Sequence, residues 1–540
     1  MSTPTQAREG FEQWRARTAA SAWEADAHFR GQVAAYGAAS EVESLADFGA
    51  RVSSELDGWV RENNRDENLP VLRRFDGQGN RTEEVVFHPL YHELGRAIYG
   101  TGVMSRYAEP GQQFGTLGLM YLYSQNGEAG HACPLACTAG MIRILQQSGG
   151  HEVWLERLLD PNYDTHFHAS QFLTEVQGGS DVGANAVVAR EEEGQWRLYG
   201  EKWFCSVIDA QLFLVTARPE GEASGTRGVK AFVVPRNVDG QVNGFNIRRL
   251  KYKLGTRSMA SAEVDFVGAV ATPVADFKDV VQVVLNTSRL YNAVASVGML
   301  QRAWREAHAY AHTRVAFGQP IVGFPTTARI VARLRVEAAA NRATTFWLAH
   351  LSDEIALGRA SEADERAFRL LVNLNKFWTS VQGTHGIRDA IEVLGGNGAI
   401  ESFSVLPRLL RDSIVCEAWE GGHNVLCAQA LRDCSRLGLH HDLRAVLAER
   451  CGMTPELGAA LDRWDALIAS PPGLAGVHVR HVAEALRAPV QAAVLAWEAQ
   501  QDGADPMLPV IIDDLLTTSA LGYEPVTDDT LVARLAELVK

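Results

Sequence analysis

The 540-residue chain is 46% apolar and 21% charged with no long polar run, which excludes a disordered or fibrous protein and, at this length, predicts about two to four domains. A formal net charge of −14 opposes general attraction to phosphate backbones. No window approaches about eighteen uninterrupted apolar residues, no apolar core follows the N-terminal charges, and the seven cysteines are scattered without CxxC spacing, so a cytoplasmic chain with reduced thiols and no membrane contact is expected.

Residues 1–70 carry helical periodicity, as in "SLADFGARVSSELDGWVREN", and predict an N-terminal helical arm or cap that ends where "LPVLRRFDGQGN" breaks the pattern. Residues 71–170 are again helical in pattern and rich in alanine and leucine. Within them His88 and His92 of "HPLYHE" have the spacing of one helix face, but without a third ligand no metal site is expected. Residues 171–285 differ in kind, being short runs of Val, Phe, Trp and Tyr punctuated by glycine turns, and predict a central β-domain. Helical pattern returns over 286–438, with segments at 288–318, 326–357, 363–394 and 405–434 that predict a four-helix bundle. Residues 439–540 predict an additional helical domain with a break at "ASPPGLAG". The class is therefore α+β, with a β-domain between helical regions.

Several short segments suit chemistry. In "LTEVQGGSD" (173–181) two glycines let backbone amides approach an anion or a planar ring, and Thr174 and Ser180 add hydroxyls, although a plain surface turn has the same composition. Trp203 in "GEKWFCS" suits a core position as well as a cofactor contact, and Arg314 and Phe317 in "RVAFG" suit a surface ion pair and a core plug as well as a binding role. "EVLGGNGA" (392–399) closes a helix with glycines and fits neither a Rossmann nor a P-loop pattern. In "CEAWEGGHN" (416–424) the carboxylate of Glu420 sits between a tryptophan and two glycines, with no lysine nearby in the sequence.

Taken in order, "LTEVQGGSD", "GEKWFCS", "KLGTRS", "RVAFG", "EVLGGNGA" and "AWEGGHN" resemble the FAD-dependent acyl-CoA dehydrogenase family over roughly residues 85–435. "RFDGQGNR", "FHPLYH" and "EAGHACPLACT" are similar to its AidB-like branch, flavoproteins of the bacterial response to alkylation damage with an extra C-terminal helical domain. The resemblance implies an N-terminal helical domain, a central β-domain and a C-terminal four-helix bundle in a dimer-of-dimers homotetramer. It implies that Thr174, Gly179, Ser180, Trp203, Cys205 and Ser206 line the isoalloxazine and that Arg314 and Phe317 meet the dinucleotide. Glu392, Gly395, Gly396 and Gly398 would receive a neighbour's FAD, while Gly421, Gly422 and Asn424 border substrate or cofactor. Glu420 falls at the family's catalytic glutamate and Arg289 at an active-site arginine. Such a glutamate removes an α-proton while a β-hydride passes to flavin N5, and shielding by Trp419 would raise its pKa and strengthen it as a base.

Departures are visible too: Cys205 stands where many members have threonine, Glu392 where many have glutamine, and Gly422 where threonine or serine is common. The last implies one missing hydroxyl contact to FAD, worth on the order of 1 kcal/mol. The implied substrate is a small molecule, acyl-CoA or another acyl thioester, with a separate electron-transfer partner. An AidB-like DNA-binding role is the alternative, and a flavin monooxygenase or N-oxidising enzyme on the same fold is a second. Residues 440–540 hold fifteen Asp and Glu against seven Lys and Arg, the wrong sign for phosphate neutralisation, leaving Arg432 and Arg436 as local basic candidates.

Overall fold

The computed structural model describes residues 4–520 and 523–540; residues 1–3 and 521–522, within the expected arm and C-terminal domain, lie outside the described residues. Two compact units interleave along the chain, one formed by Met1–Asp57, Pro110–Gly127 and Leu290–Lys540, the other by Gly58–Glu109 and Glu128–Arg289. The architecture is α+β, with helices before and after a central sheet.

In the second unit the stretch expected only to break a helix forms a hairpin, β1 (Val71–Phe75) and β2 (Arg81–Val86). Asp76 builds its turn by accepting from the Gln78 and Asn80 amides, both at 2.8 Å. The main sheet comprises β3 (Ala169–Phe172), β4 (Val188–Glu192), β5 (Gln195–Ser206), β6 (Leu212–Pro219), β7 (Lys230–Pro235), β10 (Phe245–Leu250) and β11 (Ser261–Asp276), with a two-residue ladder, β8 (Asn237–Val238) and β9 (Gln241–Val242), between β7 and β10. The 16-residue β11 pairs with β5 along its first part and with β7 along its second. Because β7 also pairs with β6, and β4 with both β5 and β6, these strands close into a ring. Closure leaves few free edges and turns alternate side chains inward, while the Val–Phe runs of β6 and β7 are buried on both faces.

The first unit is helical. Pro325 opens the helix Pro325–Ala356, and a Ser361–Asp364 capping box opens Glu362–Leu394. Leu300, Ala307, Val331, Leu334, Ile387, Leu406 and Leu409 are buried together as its apolar centre. The expected break at the proline pair falls between Pro455–Ala469 and Pro472–Ala485. The C-terminal helices are fastened into this unit: the Trp378 indole N–H donates to Ala483 O at 2.9 Å, and Arg487 pairs with Glu337 at 2.7 Å. Buried Glu498 accepts from Gln32 and Tyr36, both at 2.9 Å, and lies 2.7 Å from His28 Nε2. Among the described residues no helix is long and apolar enough to cross a membrane.

Candidate active site

In the second unit the "LTEVQGGSD" segment leaves β3 and folds into a tight turn, in which the Gly178 amide donates to Glu175 O at 3.0 Å. Beneath it Lys202 is buried and donates to the Glu175 carboxylate at 2.8 Å, to Leu173 O at 3.1 Å and to Thr216 Oγ1 at 3.2 Å. Burial pushes the Lys202 pKa down to about 8 against the opposing pull of Glu175. Glu175 also accepts from the Ala186 and Val187 amides at 2.6 and 3.2 Å, so the ion pair carries the turn and the strand behind it. The Trp203 amide donates to Thr174 O at 2.9 Å and joins the turn to β5. Gly179 and Ser180 are exposed, and a Cβ at Gly179 would come 2.4 Å from Thr174 Oγ1, so the turn has no room for a side chain there. Trp203 is half-buried with Lys251 Nζ 3.5 Å from its ring centre, and Ser206 Oγ meets Ser261 Oγ at 3.1 Å.

Cys205, which the family resemblance sets beside the isoalloxazine, is fully buried. The register of β5 against β11 slips so that Trp203 and Phe204 stand opposite Glu263 alone, a bulge that turns Cys205 to the same inner face as Lys202. Burial pushes the Cys205 thiol up, so it is a neutral core group. Arg289 is also buried, and its Nη1 donates to Asn286 Oδ1 at 3.2 Å within its own helix.

In the first unit "RVAFG" forms a hairpin of β12 (Val315–Ala316) and β13 (Gln319–Pro320), with Phe317 at its tip and 98% exposed. Tyr310 connects two motif segments, since its carbonyl accepts from the Arg314 amide at 2.8 Å and its hydroxyl from Asn397 Nδ2 at 3.0 Å. The helix Glu362–Leu394 ends with the Gly395 amide bonded to Glu392 O, at a φ of 60° that suits glycine. Glu392, Gly395 and Gly396 are exposed, and a Cβ at either of these glycines would meet nothing within 4 Å. Gly398 is buried, and a Cβ there would lie 2.7 Å from Ile391 O, so the packing of its own turn requires glycine.

Glu420 lies in the connection between Leu406–Ala418 and His423–Leu437. Its φ is +58° and that of Gly421 is +104°. An L-residue in the left-handed region costs about 1–2 kcal/mol unless its surroundings impose it. The imposing group is Lys376, fully buried on Glu362–Leu394, whose ammonium donates to Glu417 O at 2.9 Å and to Gly421 O at 3.1 Å. Across the same turn His423 Nε2 lies 2.9 Å from Glu417 Oε2. Burial pushes Glu417 up, but hydrogen bonds from His423 and Thr384 outweigh it and hold this carboxyl below its ordinary value. Trp419 and Glu420 are both half-buried, and Asn424 is exposed.

Among the described residues seven non-glycine residues have positive φ, and four of them, Val207, Thr256, Phe317 and Glu420, lie in or beside the motif segments. Glu193 and Asp239 are hairpin corners and Glu83 is a strand residue. Backbone strain is thus concentrated where the sequence suggested chemistry. Lys202, Tyr310 and Lys376 escaped sequence reasoning. A lysine in an otherwise apolar or small-residue setting, as in "LVNLNKFW", was the available signal. His88 and His92 are engaged locally, His88 Nδ1 accepting from the Leu90 amide and His92 meeting the Tyr163 hydroxyl at 3.0 Å.

Residues 170–268 match the acyl-CoA dehydrogenase middle domain and residues 278–434 the acyl-CoA dehydrogenase C-terminal domain. The chain belongs to the acyl-CoA dehydrogenase family, whose members bind FAD. Within it the chain is most similar to the AidB-like branch: residues 12–165 match the adaptive response protein AidB N-terminal domain, and AidB of Escherichia coli (strain K12) is 32% identical over 435 residues, 77% of this chain and 78% of that protein. Among solved structures, Caenorhabditis elegans ACDH-11 in complex with C11-CoA is 27% identical with a TM-score of 0.82, covering 88% of this chain and 86% of that one. Bd2924 in its apo form is 27% identical with a TM-score of 0.83, covering 88% and 97%.

Proposed function

We propose that the chain is an FAD-dependent oxidoreductase acting on the CH–CH bond of an acyl thioester, with Glu420 as the base that removes the α-proton. The observation that carries this reading is the Glu420 turn. A carboxylate is held in a left-handed backbone conformation by a buried ammonium and a Glu417–His423 pair, none of which is needed for an ordinary helix connection. A base positioned in this way is typically worth about 10²–10⁴-fold in rate.

The residues present suit FAD. Thr174, Ser180 and Ser206 offer hydroxyls, Gly179 keeps the turn backbone bare, and Trp203 offers a half-buried ring for a planar heterocycle. Arg314 supplies a cation near the exposed Phe317, and the open Gly395 and Gly396 leave space for a bulky dinucleotide at Glu392. When bound, FAD supplies the acceptor for the β-hydride. Glu420 takes the α-proton on its carboxylate, Gly421 and Gly422 keep side chains away from it, and Asn424 donates from its amide. Arg289 supplies a buried positive charge that suits a polarised thioester oxygen. The same reading makes the protein a cytoplasmic homotetramer in which a neighbouring copy covers Phe317, and gives it a separate electron acceptor.

The DNA-binding alternative is disfavoured by the disposition of arginines. Arg366 pairs with Asp442, Arg369 and Arg432 with Asp433, Arg444 with Asp462 and Asp465, and Arg450 with Asp364. Charges already paired release few counterions from DNA. An N-oxidising enzyme on this fold is ranked lower because Glu420 is retained, whereas members of that type often lose this glutamate. The test is anaerobic bleaching of the flavin band of the purified protein by a panel of acyl-CoAs. Bleaching by at least one thioester is expected. If none bleaches it while NAD(P)H does and oxygen is consumed, the reading fails.

A further inference from the structure

Asn424 has a partner outside the stretch that matches the family. That match ends at residue 434, whereas Arg480 belongs to the helix Pro472–Ala485 of the C-terminal extension. Its Nη1 lies 3.5 Å from Asn424 Oδ1, and its guanidinium carbon is 5.5 Å from the ring centre of Phe377. The His423 ring lies 5.2 Å from the same phenyl ring. Three consecutive residues of Glu362–Leu394 thus each hold a different part of this region. Lys376 holds the carbonyls of the Glu420 turn, Phe377 meets both His423 and Arg480, and Trp378 pins the extension at Ala483 O. The Arg487–Glu337 pair fixes the chain just beyond the helix, so Arg480 is presented from a fastened element and not from a mobile tail.

We propose that Arg480 is a positioning residue for the cofactor contact of Asn424, which gives the C-terminal extension a part in flavin binding. An asparagine amide is nearly symmetrical in shape, and its donor and acceptor ends are distinguished only by their partners. A guanidinium has donors alone, so it accepts Oδ1 as its neighbour and rejects the NH₂ end. The Asn424 NH₂ is then left to donate to an acceptor on the ligand, and the guanidinium adds positive charge beside it. Stacking on Phe377 limits the rotamer freedom of Arg480 and lowers the entropy lost when it holds the amide.

The inference rests on the FAD reading, and the experiment separates the two. The full-length chain, stripped of flavin, is titrated with FAD by flavin fluorescence for the wild type, Arg480→Ala, Arg480→Lys, Asn424→Ala and the double alanine variant. Arg480→Ala is expected to weaken FAD binding about five- to tenfold, the scale of one lost hydrogen bond. Asn424→Ala should weaken it as much or more, and the double variant should bind no more weakly than Asn424→Ala alone. Arg480→Lys, which keeps a cationic donor over Phe377, should recover most of the loss. A merely structural role would give additive losses and no rescue by lysine. Wild-type affinity in Arg480→Ala, or additive losses, overturns the inference while leaving the FAD reading intact. A wild-type chain that binds no FAD overturns both.

Discussion

Two motif loops, one in each compact unit, rest on a buried lysine, and the two lysines have different counter-groups. Only seven of the 51 basic Lys and Arg residues are lysines, and Lys202 and Lys376 are both buried under segments that the sequence marked for chemistry. Lys202 donates to a full carboxylate, Glu175, whereas Lys376 donates to the main-chain carbonyls of Glu417 and Gly421. A compact ammonium on a flexible stem can gather several oxygens from one turn, which the flat fork of arginine does less readily. The first arrangement is a neutral ion pair that sets a strand and a turn. The second gathers two main-chain carbonyls around the Glu420 turn and fixes backbone direction. The comparison teaches that a loop can be held by charge matching or by carbonyl capture, and that these respond differently to mutation.

The largest effect is expected at Lys202. Lys202→Met leaves Glu175 buried and unpaired and should cost about 3–5 kcal/mol, read by denaturant unfolding. Adding Glu175→Leu removes the stranded charge, so the double variant should recover part of that loss; a double variant worse than the single one would contradict the ion-pair account. Lys376→Met removes donors from two carbonyls and should cost about 2–3 kcal/mol. It should also lower turnover with little change in flavin content, because it moves Glu420 and not the cofactor residues. Equal turnover in Lys376→Met would show that the left-handed turn holds itself.

A third effect, spread over several histidines, is expected from acid. The second unit buries neutral imidazoles beside Tyr91, Tyr99 and Tyr163, with burial pushing His131 down to about 3 and His166 down to about 4, and His168 in the same direction. Between those values and the ordinary histidine range the unfolded chain binds protons that the folded chain refuses, so stability falls as pH falls below about 6.5, by about 1.4 kcal/mol per pH unit for each such histidine. Melting temperatures measured from pH 7 to pH 5 should fall with that sign. A flat profile would mean that these rings take up protons in the fold as readily as in the unfolded chain.

Long helices were legible because period and caps agreed: the segments read as 326–357 and 363–394 are Pro325–Ala356 and Glu362–Leu394, each opened by a proline or a capping box. The hairpin β1–β2 was not, since its strands expose Arg73, Arg81 and Glu84 and carry little apolar alternation. The segment read as one helix over 405–434 is two, Leu406–Ala418 and His423–Leu437, with Glu420 and its glycines between them. The support of Glu420 was not legible, because Lys376 lies 41 to 45 residues away along the chain and only tertiary packing brings it there. The contact of His423 with Glu417 was likewise visible only in the fold. The inward turn of Cys205 depends on one bulged position opposite Glu263, which no period-two pattern reveals.

The central claim is that Glu420 is the base. Anaerobic single-turnover bleaching of the bound flavin by the best acyl-CoA, compared between the wild type and Glu420→Gln at equal flavin loading, tests it most directly. The account predicts a loss of about 10²–10⁴-fold in the bleaching rate with FAD affinity retained. Bleaching at the wild-type rate in Glu420→Gln would contradict it.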